Sequence, residues 1–279
     1  MSGERLIYLP LGGAGEIGMN AYVYGYGLPG KERLMLVDLG VAFPDMDSSP
    51  GVDLILPDLS WLEDKLDRLE AIFITHAHED HIGAVPYLAA DLGVPLYATP
   101  FTAALIRGKL EEQGIADEVE LNIVPMEGQV NLGPFDIRFV PLAHSILEMS
   151  ALVIDTPHGK VFHTGDWKLD ENPIIGTPAS AEQLTAIGDE GILAMICDST
   201  NVFNAAPSGS EASVHADLLK HVTEAKGRVV VTTFASNSAR LQTLADVARE
   251  MGLLPGRDIP VRMISGHMAR DSREALSQA

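Results

Sequence analysis

His76, His78, Asp80 and His81 fall within one six-residue stretch, in the run Thr75-His76-Ala77-His78-Glu79-Asp80-His81. Imidazole nitrogens and carboxylate oxygens packed this closely suit zinc first, with manganese or magnesium as substitutes. Two histidines followed by an aspartate–histidine pair exceed what one open catalytic site requires, so the economical reading is two ions sharing one loop. A polar loop of unrelated histidines would leave four potential ligands idle beside a buried strand. Two ions held together serve hydrolysis, because they can activate a water and polarise the group it attacks. Further ligands must come from elsewhere in the chain. His144, in Pro-Leu-Ala-His-Ser, and Asp166, in His-Thr-Gly-Asp-Trp, each follow a β-like run. Taken singly, either reads equally well as a turn or capping residue. Asp38, in Leu-Val-Asp-Leu-Gly, is a third such position.

These residues need elements that bring strand ends to a common edge. The first half reads mostly as strands: Leu6 to Leu11, Ala21 to Tyr26, Arg33 to Asp38 and Ala71 to Thr75, punctuated by Gly and Pro. A helix over Ile82 to Leu92, stopped by Gly93, follows the histidine run, and Val94 to Ala98 reads as a strand. Phe135 to Leu142, Ala151 to Asp155 and Lys160 to His163 are β-like, with a hairpin turn at His158-Gly159. Beyond residue 190 the pattern alternates. Strands at Ile192 to Cys197, Arg228 to Phe234 and Val261 to Ile264 are interleaved with helices at Glu211 to Ala225, closed by Gly227, and Ser238 to Met251, and with a last helix running to Ala279. That alternation predicts a parallel α/β unit. The boundary falls near residues 198–208, giving domains of 1–200 and 201–279.

The chain has 279 residues, 46% of them hydrophobic, enough for a substantial core. No apolar stretch approaches the roughly 18 residues a membrane helix needs. The N-terminal apolar run is too short for a signal peptide and lacks a cleavage site. The single cysteine, Cys197, cannot form an internal disulfide and reads as a small buried hydrophobe. A soluble, cytoplasmic protein without membrane partners is expected. The net charge of −20 speaks against broad, non-specific nucleic-acid binding and by itself favours a small-molecule enzyme. It leaves room for nucleic acid in a local groove, where bound cations invert the field.

One motif is a decoy. Gly13-Ala14-Gly15-Glu16-Ile17-Gly18 matches G-x-G-x-x-G, and Asp38 lies 20 residues beyond its last glycine. A dinucleotide site needs a helix to begin at those glycines. Met19 to Tyr26 is instead rich in Tyr, Val and Gly, and predicts a β-hairpin.

Asp38, the H-x-H-x-D-H run of His76 to His81, His144 and Asp166 occur in the order of the metallo-β-lactamase superfamily motifs. The resemblance implies an αββα sandwich with two metal ions at one edge of its sheets. His76, His78 and His144 would hold one ion, Asp80 and His81 the other, and Asp166 would bridge them. Asp38 would steady the histidine loop from behind. Cys197-Asp198-Ser199-Thr200-Asn201, Ser208-Gly209-Ser210-Glu211 and Thr233-Phe234-Ala235-Ser236-Asn237 with Arg240 and Gln242 resemble the start of a β-CASP domain. Together with Gly12 to Asn20 and His163 to Lys168, they make the chain similar to the bacterial ribonuclease J family. That family implies RNA as substrate, 5′-to-3′ exonuclease and endonuclease action, and homo-oligomers in a longer parent. Asp80 and Asp166 would then be catalytic, and Asp198 would be an acidic residue supporting the active centre. Without the resemblance, Asp198-Ser199-Thr200 reads as a cap or turn, and Ser208 or Ser210 as the N-cap of the next helix.

Nothing matches the later β-CASP motifs, so the chain reads as cut within its second domain. Met263-Ile264-Ser265-Gly266-His267 resembles one of them superficially, but Met263 stands where the first histidine belongs, which argues against a catalytic His267. His215 and His221 read as residues of an exposed helix. Two other readings stay open: a small-molecule metallo-hydrolase of the glyoxalase or lactonase kind, and a metal-binding fragment without turnover.

Overall fold

Along Ala21-Tyr22-Val23-Tyr24 every side chain is buried, yet successive residues enter different clusters. Ala21 and Val23 pack on one face of their strand, Tyr22 and Tyr24 on the other. That is the signature of a strand covered on both sides. The computed structural model describes residues 3–44, 49–178, 180–206 and 208–252.

A six-stranded sheet contains β1 (Arg5–Gly12), β2 (Ala21–Gly27), β3 (Arg33–Val37), β4 (Leu69–Phe73), β5 (Leu96–Ala98) and β6 (Leu121–Ile123), in that order. Its first three strands are antiparallel and β3 to β6 run parallel. A five-stranded sheet has β7 (Gln129–Leu132), β8 (Phe135–Pro141), β9 (Ser150–Thr156), β10 (Gly159–His163) and β11 (Ile192–Ile196), ordered β11-β10-β9-β8-β7. Only β11 joins its neighbour in parallel. Tyr22, Tyr24, Met35 and Phe73 from the first sheet meet Phe135, Phe139, Leu152 and Ile154 from the second in one cluster between them. The outer face of the first sheet is covered by α1 (Glu79–Ile82), α2 (Val85–Leu92) and α3 (Pro100–Gln113), through Ile82, Ala89, Leu92, Ile106 and Leu110. The outer face of the second is covered by α4 (Ala181–Asp189), through Leu184 and Ile187. The layers are therefore α/β/β/α. Beyond them lie α5 (Ala212–Glu224) and α6 (Ser238–Glu250). Among the described residues, no helix is long and apolar enough to cross a membrane.

The glycines at 13, 15 and 18 all have positive φ and lead into β2, with no helix following them. Several other expectations need correction. The helix expected over Ile82 to Leu92 is two helices, because the Ala84 N–H leaves the helical ladder and donates to the Leu39 carbonyl, and Pro86 stands in the first turn of α2. The β9–β10 turn is Pro157-His158, one residue earlier than expected, since Gly159 already pairs with Thr156. Arg228 to Phe234 is not a strand. Val229, Val230 and Phe234 are exposed, and no neighbouring strand is present among the described residues to accept the ladder. Residues 198–252 thus contain helices without the alternating strands expected of a parallel unit. Cys197 is half-buried, with its thiol near the Asp198 carbonyl, because the outer face of β11 carries exposed Leu193 and Met195. His215 is not free on a solvated face: its Nε2 lies 3.1 Å from Glu250 and joins α5 to α6. The strand at Val261 to Ile264, the last helix and His267 lie outside the described residues.

Candidate metal centre

The histidine loop begins where β4 stops pairing. Thr75 is held by Asp38, whose Oδ1 accepts from the Thr75 N–H at 2.8 Å and whose Oδ2 accepts from the Thr75 hydroxyl at 2.9 Å. Asp38 is fully buried and has φ +60, a left-handed conformation that aspartate tolerates better than most residues. Its Oδ2 also accepts from His81 Nδ1 at 2.8 Å. A carboxylate can only accept, so this contact fixes the His81 proton on Nδ1 and turns Nε2 toward the cleft.

Two overlapping groups of side chains converge there. His76, His78, His144 and Asp166 bring one ligand atom each to within 4.8 Å of one another, and so do Asp80, His81 and Asp166. His78 Nδ1 lies 3.1 Å from both His76 Nε2 and His144 Nε2. Asp166 Oδ2 is 3.9 Å from His76 Nε2 and 3.7 Å from His144 Nε2, while its Oδ1 is 3.4 Å from His81 Nε2. Three imidazole nitrogens and a carboxylate facing one point form a donor set of the kind that zinc-type ions take, with distances suited to ligands around a common ion. The residues therefore fit a metal. Among the described residues, Asp166 alone belongs to both groups.

Backbone pairing explains why loops distant in sequence meet. Ser150 N–H donates to the Thr75 carbonyl, tying β9 to the histidine loop. Lys168 N–H donates to the Ala143 carbonyl, so the residues beside His144 and Asp166 form a bridge. Beneath Asp80 the chain crosses Gly40, where a side chain could not fit: a Cβ there would lie 1.6 Å from the Asp80 carbonyl oxygen. The later part of the chain also reaches this site. The His78 ring hydrogen-bonds the Ser236 backbone, and Ala239 N–H donates to the Ser145 carbonyl.

The electrostatics separate the two groups. Burial, then the neighbouring histidines, holds His76 well below the ordinary imidazole range. Burial and then His81 lower His78, and burial followed by His78 lowers His144 to about 4. These three rings are neutral near pH 7, the form in which imidazole binds a metal. Burial would also lower His81, but the Asp38 and Asp166 carboxylates outweigh it and raise His81 well above its ordinary value. Burial would raise Asp166, yet His81 and the other histidines hold it down to about 2.

The six expected ligands are thus all brought together. Asp198 is not among the converging side chains. Its Oδ1 accepts from the Thr200 N–H and hydroxyl, the cap arrangement, and its own N–H donates to Thr164 Oγ1, behind the turn that carries Asp166. Asn20, Gly40 and Ser145 were not singled out from sequence. An Asn after a glycine loop and a Gly after Asp38 carry no signal until the loops are placed against Asp80.

Residues 46–184 match the family model described as Beta-lactamase superfamily domain. The chain is 46% identical to ribonuclease J of Sinorhizobium meliloti over 89% of its own length and 44% of that relative's. It is 39% identical to ribonuclease J 1 of Streptococcus pyogenes over 92% of its length and 45% of the relative's. Ribonuclease J of Corynebacterium glutamicum is 46% identical over 85% of this chain and 32% of its own. The chain thus spans less than half the length of these curated relatives. Among solved structures, an Enterococcus faecalis V583 protein of unknown function shares the fold, with a TM-score of 0.60 at 20% identity, covering 95% of this chain and 71% of its own. By its matched domain and its layered architecture, the chain carries a metallo-β-lactamase superfamily domain, and over most of its length it is related to the ribonuclease J proteins.

Proposed function

We propose that this chain carries the two-ion hydrolytic centre of a metal-dependent ribonuclease. The observation that carries the reading is the convergence of His76, His78, His144 and Asp166 with Asp80 and His81 around the shared Asp166. The choice of RNA is supported by the ribonuclease J relatives, which match most of the chain. Zinc is the proposed ion, with manganese or magnesium as substitutes, because imidazole and carboxylate suit all three to different degrees. His76, His78 and His144 would hold one ion, Asp80 and His81 the other, and Asp166 both. The bound ions would supply Lewis-acid polarisation of a phosphodiester and lower the pKa of the attacking water.

The chain's own residues do the rest. The Asp80 carboxylate accepts the proton of the water that attacks phosphorus. One phosphorus–oxygen ester bond breaks, and the departing oxygen takes a proton from solvent. Asp38 keeps the His81 proton on Nδ1 through the bond already described. Asp198 steadies the Asp166 turn through Thr164 Oγ1. Ser236, in the β-CASP-like segment, supports the His78 ring through its backbone. Exonuclease and endonuclease action, a cytoplasmic site of action and homo-oligomers are proposed for the longer protein on its likeness to the relatives.

The net charge of −20 favours a rival substrate class, small esters or thioesters. One assay set decides between them. The metal-loaded chain and its longer parent are offered 5′-monophosphorylated RNA, a lactone and a glutathione thioester. Metal-dependent release of nucleotides or RNA fragments by the parent supports the ribonuclease reading; turnover of the small esters alone overturns it. The 279-residue chain is expected to bind about one ion tightly, at the three-histidine group, and to cleave RNA far more slowly than its parent. Equal activity in both would mean that these residues supply the whole machinery.

A further inference from the structure

Asn20 lies between the glycine loop and the second ligand group, and its side chain is nearly used up there. Its Nδ2 donates to Asp80 Oδ2 at 3.2 Å and to the Asp80 carbonyl at 3.0 Å, and lies 3.0 Å from His81 Nε2. Its Oδ1 accepts from the Tyr22 hydroxyl at 2.7 Å. Asn20 and Tyr22 are both buried. The space they occupy depends on Gly13, where a Cβ would lie 2.3 Å from the Tyr22 hydroxyl and 2.4 Å from Asn20 Oδ1. The Asp80 carbonyl and carboxylate settle the amide's orientation: both can only accept, so the NH2 end must face them and the carbonyl end takes the Tyr22 hydroxyl.

We propose that Asn20, aligned by Tyr22, is a positioning residue that holds Asp80 and His81 in the geometry of the second ion and takes no part in the three-histidine group. This rests on the two-ion reading above and names what makes its second half specific. Asp80 sits on a single helical turn, and its side chain is 30% exposed, so packing alone fixes it poorly. The Asn20 amide pins one carboxylate oxygen and leaves the other to face an ion or a water. His76, His78 and His144 make no hydrogen bond to Asn20 among the described residues, so their group should not sense its loss.

The backbone makes the test clean. Asn20 N–H donates to the Asp80 carbonyl at 3.0 Å, and the Gly40 N–H donates to the Asn20 carbonyl at 2.9 Å. Both bonds survive when the side chain is removed. Cobalt(II) titration, followed by its visible absorption, reads the two sites in the chelator-stripped chain. Asn20→Ala should weaken the second ion by about 10- to 100-fold, the usual cost of removing an outer hydrogen-bond partner, and leave the tight ion within about threefold. Tyr22→Phe keeps the amide but frees its far end, so it should weaken the second ion in the same direction and by less. Its intact buried amide guards against a folding failure in Asn20→Ala. An unchanged second affinity in both variants overturns the positioning role, as does a parallel loss at both sites. If the unsubstituted chain takes up no ion at Asp80, the two-ion reading itself fails and the role falls with it.

Discussion

Residues 5–196 and residues 198–252 bury their side chains to very different extents. In β2, β3, β4 and β9 nearly every residue is buried, and the rings of Tyr24, Phe73, Phe135 and Phe139 are closed off between the sheets. In the later stretch α5 buries none of its residues and α6 only Ala239, Thr243 and Val247, while Phe203 is 99% exposed and Phe234 83%. All six candidate ligands come from the first region, at the ends of strands whose faces are packed on both sides. Among the described residues, the second reaches the centre through Asp198 behind the Asp166 turn, Ser236 beside His78 and Ala239 beside Ser145. The difference teaches that the candidate ion ligands belong to the sandwich, whereas the proposed handling of a polymer would fall to segments packed loosely against it.

The sharpest way to break that division is to remove a ligand. Asp80→Ala should lower RNA cleavage by the parent by at least about 100-fold, the scale of a lost general base, with the circular dichroism spectrum unchanged. Turnover near that of the unsubstituted protein would end its proposed role. Asp166→Ala, which serves both groups, should reduce ion uptake at both, measured by metal analysis after dialysis.

The next largest effect tests the sandwich as a scaffold. Gly40→Ala drives a methyl group into the Asp80 backbone, which cannot yield as a flexible side chain would, so a loss on the order of 3 kcal/mol in denaturant stability is expected. A neutral result would mean that the two loops are not in contact as described. Smaller still is Tyr24→Phe. The Tyr24 hydroxyl is 2.8 Å from His163 Nδ1 across the inter-sheet core, and burial lowers His163 to about 4, leaving a neutral ring that needs one partner. Losing that partner should cost about 1–2 kcal/mol. Phe203→Ser should change stability by less than about 0.5 kcal/mol, because almost nothing is buried there. A large loss at Phe203 would show that the second region packs more tightly than described.

Much of the sandwich could be read from the sequence because its strands carry their own signal. Dense apolar runs marked β2, β3 and β8 to β10, and the crowding of His76, His78, Asp80 and His81 in one turn marked the centre before any geometry was known. What could not be read depends on neighbours. Arg228 to Phe234 has the composition of a strand, but composition does not say whether another strand lies beside it. Ile82 to Leu92 has helical periodicity, yet the Ala84 N–H finds a better partner in the Leu39 carbonyl. Helix α3 has little amphipathic pattern, since it is anchored by a few buried positions such as Ile106 and Leu110 and by Glu148 accepting from the Phe101 N–H. Asn20 acquires a role only when the glycine loop folds back onto Asp80.

The most direct measurement is anomalous diffraction at the zinc edge from crystals of this chain grown with zinc. The expected result is a strong peak enclosed by His76, His78, His144 and Asp166, and a weaker one between Asp80, His81 and Asp166. Zinc bound only elsewhere on the surface, with this cluster empty at saturating ion, would contradict the two-ion centre and with it the proposed hydrolytic chemistry.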